Sequence, residues 1–138
     1  MKLALAVMLC VSLSVAPDTT PEDPTFVVQE IIEQQIRAFM KDDAATAYAL
    51  ASPPVRERFR TGAGFLEMVK QQYAPVYRPG NFAFGRVKLE QDAVVQEVLI
   101  SGPDGKDWTV LYQLVRLPDD SWRINGMHLV RAAPGPGI

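Results

Sequence analysis

A chain of 138 residues, 48% of them apolar, has room for one domain and enough greasy side chains to fill its core. Its 14 Lys plus Arg stand against 16 Asp plus Glu without a basic run. Nucleic acid, which demands a cationic footprint, is therefore excluded as a partner.

The N-terminus reads as a targeting segment. Lys2 precedes an apolar run from Leu3 to Val11, followed by the small residues Ser12, Ser14 and Ala16. That layout predicts a signal peptide over 1–16 and an exported protein, periplasmic or secreted. The run is shorter than the roughly 20 residues needed to cross a bilayer, so no stable membrane span is expected. Cleavage after Ala16 would set Pro17 against the scissile bond, which favours a cut after Ser14. A lipoprotein reading at Cys10 is disfavoured by bulky Leu9 before it. Removal of the segment takes away the only cysteine, leaving no thiol, disulfide or sulfur ligand. Residues 17–25, rich in proline and acid, form a flexible acidic spacer.

Helical spacing begins the domain proper, over 26–131. Val28, Ile32, Ile36, Phe39 and Met40 share one face of a helix from Thr25 to Met40. Asp42 and Asp43 offer a break and a fresh cap for an alanine-rich helix, Ala44 to Ala51. Ser52-Pro53-Pro54 stops it. Val55 to Phe59 reads as a short helical turn, with Arg56, Arg58 and Arg60 around it; together with Arg78 they either gather near the pocket mouth and attract an anion or, as their every-second-position spacing favours, lie on a solvated surface and pair locally with Glu57 and Glu67. Phe65 to Tyr73 forms a third helix, closed by Pro75.

Four strands follow, over Asn81–Leu89, Ala93–Ser101, Asp107–Leu117 and Ser121–Arg131. Gly102-Pro103-Asp104-Gly105 and Pro118-Asp119-Asp120-Ser121 supply hairpin turns between the later ones. Helices first and strands afterwards predict an α+β domain, with N-terminal helices packed on a curved four-stranded antiparallel sheet. A short tail, 132–138, is expected to be disordered.

Alternation sorts the sheet faces once the turns are counted. With Ser101 opposite Lys106 and Leu117 opposite Trp122, the helix-facing side collects Val94, Gln96, Val98 and Ile100 with Thr109, Leu111 and Gln113, then Trp122 and Ile124. The other side collects Trp108, Val110, Tyr112 and Leu114. Asn125-Gly126 suggests a bulge in the last strand. With the bulge, Met127 and Leu129 face inward and His128 outward; without it, His128 points in.

Ala51-Ser52-Pro53, Phe59, Phe65, Met68-Val69, Tyr73, Arg78-Pro79 and Trp122-Arg123-Ile124-Asn125-Gly126 together resemble a bacterial family of short exported proteins, domain of unknown function 4864. The resemblance spans Val28 to Arg131. It implies the nuclear transport factor 2-like (cystatin-like) architecture, a curved sheet wrapped around a few helices. That superfamily contains isomerases and dehydratases alongside binding and assembly modules, so the fold alone does not select a function.

Isomerase or dehydratase chemistry needs a carboxylate or histidine base inside an apolar pocket. The face assignment puts no acid there. Tyr48, Tyr73, Gln96, Thr109, Gln113, Trp122 and His128 are the expected pocket-lining residues. Gln96 and Gln113 either satisfy each other or orient a ligand. One histidine and no cysteine cannot build a zinc site, so no metal or other cofactor is expected. Trp108, Tyr112 and Leu114 on the second face are the expected interface of a homodimer. The resulting expectation is a non-enzymatic domain that holds a small apolar ligand or a protein partner in a cone-like pocket. The alternatives are an isomerase-like enzyme using His128 or an acid, and a structural module of an envelope assembly.

Overall fold

A computed structural model of the chain describes residues 10–14 and 23–131. Most of the expected signal segment and spacer, and the whole expected tail, lie outside the described residues. Among those described, no helix is long and apolar enough to cross a membrane.

Helix α1, Thr25–Met40, buries Val28, Ile32, Ile36 and Phe39, spaced four, four and three residues apart. Asp42 then turns the chain with φ 54. Its carboxylate accepts from Arg78 Nη2 at 2.9 Å and from the Tyr77 hydroxyl. Asp43 caps α2, Ala44–Ala49, accepting from the Thr46 amide at 3.1 Å.

The second helix is shorter than expected because the chain is drawn to the sheet. Leu50 O accepts from the Ile124 amide at 2.9 Å, and the Ser52 amide donates to Ile124 O at 2.8 Å. Residues 50–52 thus cover part of an edge strand, and Ala51 forms a parallel bridge to Ile124. Helix α3 spans Pro53–Phe59, longer than the expected turn, since two prolines suit a first helical turn whose amides lack partners anyway. Thr61 caps α4, Gly62–Gln72. Pro75 likewise begins a short helix, α5, Ala74–Tyr77, where the sequence suggested only a stop.

Strands β1 (Asn81–Leu89), β2 (Ala93–Ser101), β3 (Asp107–Arg116) and β4 (Trp122–Arg131) form one antiparallel sheet in chain order. The register corrects the expected faces of β3. Ser101 pairs with Asp107, not Lys106, because Gly102 N donates to Lys106 O across three residues. Gly105 at φ 75 closes that loop, the usual left-handed position of a three-residue hairpin. One residue of register turns every side chain of β3 over. Trp108, Val110, Tyr112 and Leu114 therefore face the helices, while Thr109, Leu111, Gln113 and Val115 face away.

The next turn is also one residue shorter than supposed. Leu117 N donates to Ser121 O, with Asp120 at φ 67, and Arg116 pairs with Trp122 instead of Leu117. This second shift restores the expected parity of β4. Trp122 and Ile124 face the core, and the bulge at Asn125 lets Met127 follow them. The core thus lies between α1, α2, α4 and the inner sheet face, with Phe65 packed against Phe39, Tyr48 and Phe59 at centroid distances of 6.1, 6.0 and 5.8 Å.

Candidate functional site

Residues at helical spacing build one wall of a cavity beside β4. Val55, Arg58 and Phe59, at i, i+3 and i+4 of α3, face it together. Phe65, Met68 and Gln72 of α4 face it from the next wall, with Tyr73 just beyond them. Ala51 and the β4 run Ile124–Met127 complete a cavity of about 190 Å³ that is partly open to solvent. Tyr73 ties the walls together, its hydroxyl donating to Met127 O at 3.2 Å. Ser52 does the same from below: fully buried, it donates from Oγ to Asn125 Oδ1 at 2.7 Å. The bulge exists to present Asn125, since the extra residue is the one that leaves the ladder.

The lining is mostly apolar, and its polar groups are Arg58, Gln72, Tyr73 and Asn125. No Asp, Glu or His lines it. Among the described residues, no three His, Cys, Asp or Glu gather as a metal site would require.

The other expected pocket residues are placed elsewhere. Tyr48 lies outside the lining, its hydroxyl donating to Arg56 O at 2.7 Å. Gln96 is fully buried but spoken for. Its amide nitrogen donates to Glu97 O at 2.8 Å and to Gly85 O and Arg86 O at 3.3 Å, while its oxygen accepts from Gln29 Nε2 at 3.2 Å. Trp122 is buried on the inner face, away from the cavity wall. Thr109 and Gln113 point to the outer face, which corrects the expected Gln96–Gln113 pair. His128 also faces outward, exposed opposite Leu111.

The expected interface residues require a parallel correction. Tyr112 and Leu114 are fully buried on the helix side, and Trp108 is half-buried there opposite Ile100. Burial drives the Tyr112 phenol far above its ordinary pKa, so it stays a neutral hydroxyl. Nor do Arg56, Arg58 and Arg60 pair with Glu57 and Glu67. Glu67 accepts instead from Gln71, and among the described residues these arginines make no ion pair. Of the four arginines that the sequence allowed at a pocket mouth, Arg58 lines the cavity, while Arg56, Arg60 and Arg78 do not. The spacing of Arg58 with Val55 and Phe59 was the available signal.

The geometry can be set beside known proteins. Residues 21–136 match the family described as domain of unknown function (DUF4864). The chain belongs to that family. Solved structures with a similar fold include a nuclear transport factor 2-like protein of unknown function from Shewanella baltica, with TM-score 0.56 and 12% identity, covering 83% of this chain and 100% of that one. A candidate ketosteroid isomerase from Parabacteroides distasonis follows at TM-score 0.53 and 16% identity, covering 85% and 94%. A superfamily member from Salmonella enterica serovar Typhimurium has TM-score 0.52 and 14% identity, covering 80% and 92%. No curated protein matches the sequence. This DUF4864 domain therefore has the nuclear transport factor 2-like fold.

Proposed function

We propose that this DUF4864 protein is an exported, non-enzymatic domain that holds a small apolar ligand in the cavity between α3, α4 and β4. The observation that carries the reading is the composition of that partly open cavity. Seven apolar side chains surround it (Ala51, Val55, Phe59, Phe65, Met68, Ile124 and Met127), and no acid or histidine enters it. Such a site can desolvate a ligand and orient it by hydrogen bonds, yet it offers no base to take a proton. The isomerase alternative would need His128 or an acid at the cavity; His128 lies on the opposite face of the sheet. Export rests on the pattern of residues 1–16. N-terminal sequencing of the protein from the extracytoplasmic fraction should begin between Val15 and Pro17.

Self-association through the outer sheet face is the accompanying proposal. Leu99 and Val130 are 48% and 43% exposed there, beside half-buried Val95, Leu111 and Val115.

Native purification followed by mass spectrometry of small molecules released on denaturation tests the binding role. A compound recovered from the wild type and lost in Val55→Trp, which fills the cavity from α3, is the expected result. Equal recovery from both proteins would place the ligand elsewhere.

A further inference from the structure

The charge of the cavity names the class of ligand. We infer that it takes a small apolar molecule with one anionic end, a carboxylate, for which Arg58 is the counter-ion; this rests on the binding role proposed above. Arg58 is the sole charged residue of the lining. Arg37, Arg78, Arg86 and Arg116 each hold a carboxylate of the protein, but Arg58 holds none among the described residues. Its guanidinium carbon lies 5.6 Å from the centroid of the Phe59 ring, which itself walls the cavity. The cation thus stands at the exposed rim of the cavity beside an apolar wall, where the weakly hydrated guanidinium can meet an anionic end while the rest of a ligand lies against apolar side chains.

The second polar group points the same way. Asn125 spends its oxygen on the Ser52 hydroxyl. Its amide nitrogen, a pure donor, has no partner among the described residues. A donor-only guanidinium and a free amide N–H₂ suit an acceptor-only carboxylate, while the oxygens of Gln72 and Tyr73 are the lining's side-chain acceptors for a ligand's own donors. Size restricts the rest. An enclosure of about 150 Å³ lined by aliphatic side chains and Phe accommodates benzene, so about 190 Å³ holds one ring or a short alkyl chain with its carboxylate.

Phenylacetate and phenylacetamide share a shape and differ in charge, which makes them the probes. Calorimetric titration of the purified protein at low salt should show phenylacetate binding about two- to fivefold more tightly, the scale of an exposed ion pair. Arg58→Gln should abolish that preference and leave phenylacetamide affinity unchanged, and Arg58→Lys should restore part of it. Arg58 is exposed, so its replacement leaves the fold intact. Equal wild-type affinity for both probes, or a preference that survives Arg58→Gln, would overturn the carboxylate assignment while leaving the binding role standing. Binding of neither probe would sink both.

Discussion

At the scale of single residues, two glutamines a strand apart separate structure from surface. Among the described residues, Gln96 supplies the polar link between α1 and the β1 bulge, through Gln29 on one side and the Gly85 and Arg86 carbonyls on the other. Replacing it with leucine removes those part-buried bonds, each worth about 0.5–1.5 kcal/mol net. Urea unfolding of Gln96→Leu should show that loss, whereas Gln113→Ala on the exposed outer face should stay within about 0.5 kcal/mol. Glu97 adds a pH signature. Hydrogen bonds from the Arg86 guanidinium, then from the Arg86 amide, hold its carboxyl below the ordinary 4.5. A depressed folded pKa means that the unfolded chain binds the proton more readily, so stability falls as acidity rises. The Arg86–Glu97 contribution is whole above pH 4.5 and is lost as the pH drops from there through the folded value. Glu97→Gln should therefore be less stable than wild type at neutral pH and converge on it in acid. Parallel unfolding curves at every pH would contradict that. Gly85 belongs to the same feature: a Cβ there would sit 3.0 Å from Glu97 Oε2.

At the scale of elements, two loops decide which side chains meet the core. Each hairpin loop holds three residues, closed by Gly105 at φ 75 and Asp120 at φ 67. Gly105→Ala should cost about 1 kcal/mol, since a Cβ in that conformation meets the following carbonyl. Asp120→Gly should cost nothing or stabilise slightly for the same reason. Thermal unfolding of the pair reads both. The loops also show where sequence ceases to inform. Apolar spacing located α1 within its true bounds, and turn residues located all four strands, because both signals are local. Register is not local, and a four-residue count in place of three inverts β3 completely. Trp108, Tyr112 and Leu114 thereby exchanged faces with Thr109, Leu111 and Gln113. The same miscount at the next turn cancels the first, which is why Trp122, Ile124 and the Asn125 bulge were legible. Both faces of β3 carry large apolar residues, Trp108, Val110, Tyr112 and Leu114 on one and Leu111 and Val115 on the other, so alternation had little contrast to offer. For the cavity, Tyr73 was legible. Asn125 was not, and Arg58 stood out from the other arginines only in the structure, because their value depends on α3 and the bulge meeting across the edge of the sheet.

At the scale of the whole molecule, the sheet divides the protein into a face with a cavity and a face without cover. Helices bury the inner side, while Leu99 and Val130 remain open to solvent on the outer. Leu99→Glu would put charge into any contact between outer faces. Sedimentation should give a dimer for the wild type and a monomer for that variant; a monomeric wild type at high concentration would remove the idea. The inner side carries the central claim, that the molecule holds a small ligand between α3, α4 and β4. Methyl-labelled methionine provides its most direct measurement, because Met68 and Met127 line the cavity and Met40, 49% exposed on α1, stands outside it. Titration with phenylacetate should shift the Met68 and Met127 resonances saturably and leave Met40 in place. Movement of all three together, or of none, would contradict the claim.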